Sequence, residues 1–115
     1  MRLFSKEHIW IQQEGEMARM GISGYAQERL GSIMFVNLPD AGQMVQIGQK
    51  FGDVESIKTV SDLISPAEGK VMAVNEDVID EPDRLNQDPY ENWLITIKVD
   101  KVQGELMTEG EYEVL

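Results

Sequence analysis

Cysteine is absent from this sequence, and histidine occurs only once, at position 8. Without cysteine there can be no disulfide bond, thiolate zinc site or cysteine nucleophile, so any redox chemistry must come from a cofactor.

His8 has no second histidine at a metal-ligand spacing, which favours a packing or strand-end role over metal binding or general-base catalysis. The five carboxylates between Asn75 and Asp83 lack the ligand order of a calcium loop, and we interpret them as a solvated loop and helix start. We therefore predict no metal site.

Positive charge is also scarce. The sequence has 10 Lys and Arg residues and 21 Asp and Glu residues, which gives a net charge of −11. A field of that sign repels phosphate backbones and anionic lipids, so neither nucleic acid nor a membrane is an expected partner. No apolar run approaches the roughly 18 residues of a membrane helix, and the N-terminus has no apolar signal core. The expectation is a soluble protein of the cytoplasm, or the mature form of an organelle protein.

Alternation of apolar and polar residues is the main structural signal. It occurs in segments such as Met17–Ile22 and Trp93–Val99, between frequent glycines and prolines, and it is typical of short β-strands. A chain of 115 residues can form one hydrophobic core, so we predict a single, mainly β domain over residues 1–115.

Helical signals are confined to three short places, which predict small flanking helices. They are Ser23–Leu30 closed by Gly31, Asp80–Gln87 with Pro82 suited to the first turn, and the C-terminus, where Thr108 and Glu111 fit a capping box before Tyr112, Val114 and Leu115.

A short repeat suggests two similar halves. Gly42-Gln-Met-Val-Gln-Ile-Gly48 and Gly69-Lys-Val-Met-Ala-Val-Asn75 carry apolar residues at the same offsets after glycine, although such a repeat also arises by chance in β proteins. The β-branched stretch between them, Phe51–Ile64, contains a single basic residue, Lys58, near its middle. A hairpin there would present one lysine at its tip.

The centre of that stretch, Gly52-Asp-Val-Glu-Ser-Ile-Lys-Thr-Val-Ser-Asp62, closely resembles the lipoylation segment of glycine-cleavage H proteins. Further likenesses to this family follow in the same order and extend over most of the chain. They are Gly21-Ile-Ser-Gly-Tyr-Ala-Gln-Glu-Arg-Leu-Gly31, Val36-Asn-Leu-Pro39, Ser65-Pro66, Val74-Asn75, Leu85-Asn86, Asp88-Pro-Tyr90 and Trp93. The resemblance implies a barrel-sandwich hybrid, a fold of two quasi-symmetric β halves, here with short flanking helices.

The resemblance also implies a function. Lys58 would carry lipoic acid in amide linkage, attached by a lipoate ligase or lipoyltransferase. The lipoyl group would take an aminomethyl group from a PLP-dependent glycine decarboxylase, present it to an aminomethyltransferase and be reoxidised by lipoamide dehydrogenase. The chain itself would be a non-catalytic carrier.

Other site residues follow from the same pattern. Glu55 and Ser56 before Lys58, and Ser61 and Asp62 after it, resemble the tip that a lipoylating enzyme inspects. The resemblance places the helix of Ser23–Leu30 beside the cleft of the lipoyl arm, so that Glu28 and Arg29 would contact the arm or a partner. The alternative interpretation of these two residues is the ordinary solvated face of an amphipathic helix.

One position departs from the family. H proteins typically have His-Glu-Trp near the N-terminus, where the glutamate resembles a wall residue of the cleft for the loaded arm, but this chain has His8-Ile9-Trp10. A charge-assisted hydrogen bond of that kind is worth about 1.5–3 kcal/mol, and Ile9 cannot make it. Glu7 would replace it only if the strand end bends. This departure favours a second hypothesis, an H-like lipoylated protein that acts as a lipoyl relay or as a target of redox-linked ADP-ribosylation with sirtuin and macrodomain partners.

Two further alternatives are less well supported. A biotin carrier would need methionines beside the lysine, whereas Ile57 and Thr59 flank Lys58. An independent enzyme would need a nucleophile–base pair, a metal cluster or a phosphate loop, and the sequence contains no such pattern. The remaining large apolar residues are interpreted mostly as core filling, with a partner surface as the alternative. They are Met17, Met20, Met34, Met44, Met72, Met107, Phe35, Phe51, Trp10 and Trp93.

Overall fold

A computed structural model describes residues 1–114 and shows a mainly β protein with two antiparallel sheets that do not close into a barrel. The strands are β1 (Arg2–Phe4), β2 (Ile9–Glu14), β3 (Met17–Ile22), β4 (Ile33–Asn37), β5 (Met44–Val45), β6 (Lys50–Ser56), β7 (Val60–Ile64), β8 (Ala67–Val74) and β9 (Ile95–Val102). The helices are α1 (Gly24–Leu30), α2 (Glu76–Asp80), α3 (Arg84–Gln87) and α4 (Glu109–Glu113). One sheet has the order β1-β2-β3-β9-β8-β5, and the other has the order β4-β6-β7.

The main core is formed by the inward-facing residues of both sheets. Alternation along each strand directs Ile11, Met20 and Ile97 from the large sheet and Val54 and Leu63 from the small sheet into one buried cluster. Each helix α1 to α3 adds one buried side chain to it, Leu30, Val78 and Leu85 respectively.

A second cluster covers the other face of the large sheet. Trp10 lies between the inward-facing Ile9 and Ile11, yet it is also buried, because Phe4, Tyr90 and the C-terminal Tyr112 pack on that face. The indole N–H of Trp10 donates to the Pro89 carbonyl at 3.1 Å, which satisfies its one polar atom.

Two of the three helix predictions are confirmed. Ser23 caps α1 by accepting from the Ala26 amide, and Gly31 ends it with φ of 72°. At the C-terminus the capping box of Thr108 and Glu111 precedes α4, while the prediction for Leu115 lies outside the described residues.

The prediction of one helix over Asp80–Gln87 is wrong, because α2 ends at Asp80 and α3 begins only at Arg84. A residue that precedes proline is disfavoured in the helical region, and Glu81 before Pro82 has φ of −131° and ψ of 76°. The acidic run does provide a helix start, since Asn75 caps α2 by accepting from the Asp77 amide.

Half of the ten large apolar residues that were interpreted as core filling are exposed, while Trp93 and Met107 are partly buried against the second cluster. Met20, Phe51 and Trp10 are buried, but Met17, Met34, Met44, Met72 and Phe35 are exposed. Strand alternation explains this, because Met17, Met44 and Met72 occupy the outward positions of β3, β5 and β8.

The two glycine-containing repeats pair with each other in the large sheet. Met44 lies opposite Lys70 and Val45 opposite Gly69, so both repeats meet at the contact between β5 and β8. The strands differ in length, with two residues in β5 and eight in β8. No helix of the described chain is long and apolar enough to cross a membrane.

Candidate functional site

Lys58 lies at the tip of the hairpin formed by β6 and β7, as the sequence predicts. Ile57, Lys58 and Thr59 form the exposed turn, which the Ser56 amide closes by donating to the Thr59 carbonyl at 2.8 Å. The Ser56 hydroxyl oxygen also accepts from the amides of Lys58 and Thr59 at 3.1 and 3.2 Å. Ser56 therefore shapes the turn that presents the lysine, in addition to any contact with an enzyme.

The hairpin tip rests on the connection between α1 and β4. The Ile57 amide donates to the Ser32 carbonyl at 3.1 Å, and the Lys58 side chain lies over Gly31. A methyl group placed on Gly31 would be 3.5 Å from Lys58 Cε and 3.7 Å from Nζ. Glycine at this position is required by the backbone, because its positive φ ends the helix, whereas the lysine atoms lie at ordinary van der Waals distance from where a β-carbon would stand.

The side chain of Asn86 on α3 makes two hydrogen bonds to the same connection between α1 and β4. Its side-chain amide nitrogen donates to the Gly31 carbonyl at 2.6 Å, and its carbonyl oxygen accepts from the Ile33 amide at 2.9 Å. One side chain therefore satisfies a donor and an acceptor of the segment that supports the tip.

A groove of about 530 Å³ runs beside Lys58, between α1 and the start of β7. His8 and the helix residues Tyr25, Ala26, Arg29 and Leu30 line one side, and Thr59, Val60 and Ser61 line the other. A neighbouring groove of about 500 Å³ has His8 and Tyr25 in common with the first one and lies between α1 and α4. Glu28 from α1 and Glu109 and Glu113 from α4 line it. The two grooves thus share His8 and Tyr25, and carboxylates line only the second one.

His8 lines both grooves and begins a hydrogen-bond chain through Tyr112 to Ser23. Burial lowers the pKa of His8 below the ordinary value of 6.5 and raises the pKa of the Tyr112 phenol, so both are uncharged at neutral pH. A neutral ring nitrogen can accept, which lets Tyr112 donate to His8 Nδ1 while the Ser23 hydroxyl, 2.7 Å away, donates to the phenol oxygen. Because Ser23 also caps α1, this chain connects α4 to the helix that lines the site.

His8 has the strand-end packing role that the sequence favours. It immediately precedes β2 and packs at 4.7 Å from the Tyr25 ring. The described residues contain no group of three or more potential His, Cys, Asp or Glu metal ligands.

The other predicted site residues surround the same hairpin. Glu55 faces outward on β6, Ser61 lines the groove beside Lys58, and Asp62 lies 3.2 Å from the Lys50 amine. Arg29 lines that groove and donates to the Tyr25 hydroxyl at 2.9 Å, while Glu28 lines the neighbouring one. The structure therefore brings Ser61 and Arg29 together at the groove beside Lys58, whereas Glu55 and Asp62 point away from it on the outer face of the hairpin and Glu28 lines the neighbouring groove.

Ile9 does not lie on a groove wall. Its side chain is only 1% exposed and belongs to the main core, so it fills space where the family pattern has a carboxylate. Glu7 is exposed, lies before β2 and is absent from the linings of the two grooves just described. Its carboxylate nevertheless acts on His8, which lines both grooves, in the direction that raises the pKa of that ring.

Several residues of the site were not singled out from the sequence. Tyr25, Tyr112 and Asn86 contribute through contacts between distant segments, such as the 104-residue separation of His8 and Tyr112. Gly31 was identified only as a helix end, although the Lys58 side chain also lies against it. Its place directly after a predicted helix was the one local signal available.

Comparison with known proteins agrees with this geometry. A family model described as "Glycine cleavage H-protein" matches residues 2–115. The glycine cleavage system H proteins of Bacillus licheniformis and Clostridioides difficile are each 45% identical to this chain over 113 residues, which is 96% of the chain and 89% and 90% of the relatives. The crystal structure of the H protein from Mycobacterium marinum superposes with a TM-score of 0.92 at 41% identity, covering 98% of this chain and 94% of that one, and it establishes the barrel-sandwich hybrid fold. The chain belongs to the glycine cleavage H-protein family.

Proposed function

We propose that this chain is the lipoyl carrier of a glycine cleavage system and that Lys58 is its attachment site. The observation that carries the proposal is the position of Lys58, whose amine lies at an exposed hairpin tip directly beside a groove. Lys58 is an exposed residue, and none of the ion pairs among the described residues involves it, so its amine is available to an acylating enzyme.

The surroundings of Lys58 fit a lipoyl group. The lysine stem lies over Gly31, and the groove beside it is lined by apolar and aromatic residues such as Tyr25, Leu30 and Val60 together with polar ones. When bound, a lipoyl group supplies a dithiolane that can be reduced, carry an aminomethyl group and be reoxidised. Residues of this chain would hold the arm in the groove and limit its contact with water.

The partners follow from membership of the family. A lipoate ligase or lipoyltransferase would load Lys58. A PLP-dependent glycine decarboxylase, an aminomethyltransferase and lipoamide dehydrogenase would then act on the arm in turn, and the chain would catalyse none of these steps. We place the carrier in the cytoplasm with these enzymes.

Replacement of Lys58 by arginine tests the attachment site. The unmodified chain, incubated with lipoic acid, ATP and a lipoate ligase, should gain the mass of one lipoyl group, whereas Lys58→Arg should gain none, because a guanidinium is protonated in proteins and does not form the amide. Lys70→Arg, a change at an exposed strand lysine, is the control and should be modified like the wild type. Intact mass and peptide mapping measure the outcome, and a wild-type chain that stays unmodified contradicts the proposal.

The burial of Ile9 favours a second candidate function. An H-like lipoylated protein that serves as a relay, or as a target of ADP-ribosylation, would not need a carboxylate at this position to retain an aminomethyl cation.

Glycine–bicarbonate exchange with a glycine decarboxylase separates the two functions. If glycine cleavage is correct, the lipoylated chain supports exchange and unmodified Lys58→Arg does not, whereas absence of exchange with the fully lipoylated chain supports the relay or regulatory function.

A further inference from the structure

Large apolar side chains are exposed on the outer face of the small sheet. Phe35 is 58% exposed and Val60 is 56% exposed, and the strand register places both beside Glu55, with Phe35 opposite Glu55 on β4 and Glu55 opposite Val60 on β7. Val36 and Val54, the neighbours of Phe35 and Glu55 in sequence, are buried, which fixes the outward direction of this row. We refer to Phe35, Glu55 and Val60 as the Phe35 row.

The backbone of β4 is irregular at the same place. Its pairing with β6 shifts register between Ile33 and Phe35, and as a result both Met34 and Phe35 are exposed although they are consecutive residues. Regular alternation would bury one of the two, so the bulge increases the apolar surface of this face. Exposed aromatic and aliphatic groups that adjoin one another typically mark a protein interaction site.

The Phe35 row is continuous with the hairpin tip. Glu55 and Val60 are both within three residues of Lys58, and the intervening Ile57 is 71% exposed. Val60 also lines the groove beside Lys58. A partner that covers this row would therefore reach the lysine amine from the outer face of the hairpin.

We propose that the Phe35 row is the docking surface for the enzyme that acylates Lys58, with an apolar pocket for Phe35 and Val60 and a basic group opposite Glu55. The inference rests on the proposed function of Lys58. An acylating enzyme must bring its acyl carbon to bonding distance from Nζ, so its surface has to cover the hairpin itself. Enzymes that act on the dithiolane meet it at the far end of the arm and can leave this face uncovered.

The charge of the row matches such a partner. Glu55 is half-buried between two apolar neighbours, and it takes no part in the ion pairs found among residues 1–114. The chain has a net charge of −11, which favours a basic partner surface in the encounter. Phe35 and Val60 would supply the apolar contact, and Glu55 would supply the orientation.

The test uses the kinetics of lipoylation of the unmodified chain by a lipoate ligase. Phe35→Ser should raise KM for the protein substrate about tenfold or more, because loss of an aromatic contact at an interface is commonly that large, while kcat changes little since Lys58 and its turn are intact. The Kd for the ligase, measured without lipoic acid, should rise in parallel. Met44→Ser is the matched control, because Met44 is 54% exposed on the large sheet, and it should leave KM and Kd unchanged.

The possible outcomes are distinct. If the wild type is not lipoylated, the proposed function fails; if the wild type and Phe35→Ser are lipoylated with the same KM, only the docking surface is wrong. If Phe35→Ser unfolds, Val60→Thr is measured in its place, because threonine keeps the shape of valine. A rise in KM then supports the docking surface, and an unchanged KM contradicts it. If sedimentation shows a wild-type dimer that Phe35→Ser dissociates with KM unchanged, the row is an interface between copies and the proposal is overturned.

Discussion

Gly52→Ala is expected to lower the midpoint of thermal unfolding by about 10 °C or more. A β-carbon at this position would lie 2.2 Å from the carbonyl oxygen of Asn37 and 3.5 Å from the Cα of Leu38. These are backbone atoms of the neighbouring segment, and they cannot rotate away as a side chain can. The end of β4 would have to separate from β6, at a cost of at least about 3 kcal/mol in the free energy of unfolding, at the upper end of overpacking effects.

Gly104→Ala is the control for the intrinsic effect of removing a glycine. Its β-carbon would meet no atom within 4 Å, and Gly104 is not among the residues with positive φ. This variant should unfold within about 1 kcal/mol of the wild type, because alanine mainly reduces the entropy of the unfolded chain there. Differential scanning calorimetry compares the two, and a Gly52→Ala midpoint equal to that of Gly104→Ala would show that β4 can shift without loss.

Gly52 also explains part of a sequence pattern. The segment that resembles the family's lipoylation motif begins with Gly52, and the close approach of Asn37 explains why a glycine stands there. The position of Lys58 at a hairpin tip was predictable because it depends only on neighbouring residues. A β-branched stretch favours two strands, and the lysine lies near its centre. The caps at Ser23 and Thr108 were predictable for the same reason, since each acts on an amide three residues away.

Features that depend on distant segments could not be predicted. Alternation predicted short strands in general, but only the observed pairing of β4 and β5 with their neighbours shows which face of Phe35 and Met44 is covered. The exposed methionines were misinterpreted as core residues for this reason. Pro82 had two possible roles, in the first turn of one helix or as the break between two, and the packing of Val78 and Leu85 into the core on either side of it selects the break.

The Ile9 position shows how structure refines a sequence comparison. The sequence established only that a family carboxylate is missing. The structure adds that Ile9 is buried in the main core and that the carboxylates of Glu28, Glu109 and Glu113 line the groove beyond His8. In this chain the carboxylates of the cleft thus come from α1 and α4, and the start of β2 contributes a buried apolar residue.

Asn86→Ala is expected to lower the free energy of unfolding by about 2–4 kcal/mol, because it leaves two backbone groups without partners. The Gly31 carbonyl loses its donor and the Ile33 amide loses its acceptor. These residues flank Ser32, whose carbonyl accepts from the tip amide of Ile57, so lipoylation of Lys58 should also slow. Asn37→Ala, which removes one exposed hydrogen bond to Asp53, should cost less than about 1 kcal/mol. Equal losses in the two variants would contradict the bridging role of Asn86.

Asn86→Asp separates the lost hydrogen bonds from a simple loss of packing. The aspartate keeps an acceptor for the Ile33 amide but places a carboxylate oxygen against the Gly31 carbonyl, which is 2.6 Å from the amide nitrogen it replaces. Protonation restores a donor at that oxygen, so the pKa of the new carboxyl is raised in the folded state. Stability relative to Asn86→Ala should therefore increase as pH falls through that raised pKa, until the unfolded-state carboxyl also becomes protonated. Urea unfolding at a series of pH values measures this difference. A difference that is independent of pH would mean that Asn86 acts through its volume, whereas the expected rise would assign the support of the Lys58 tip to its two hydrogen bonds.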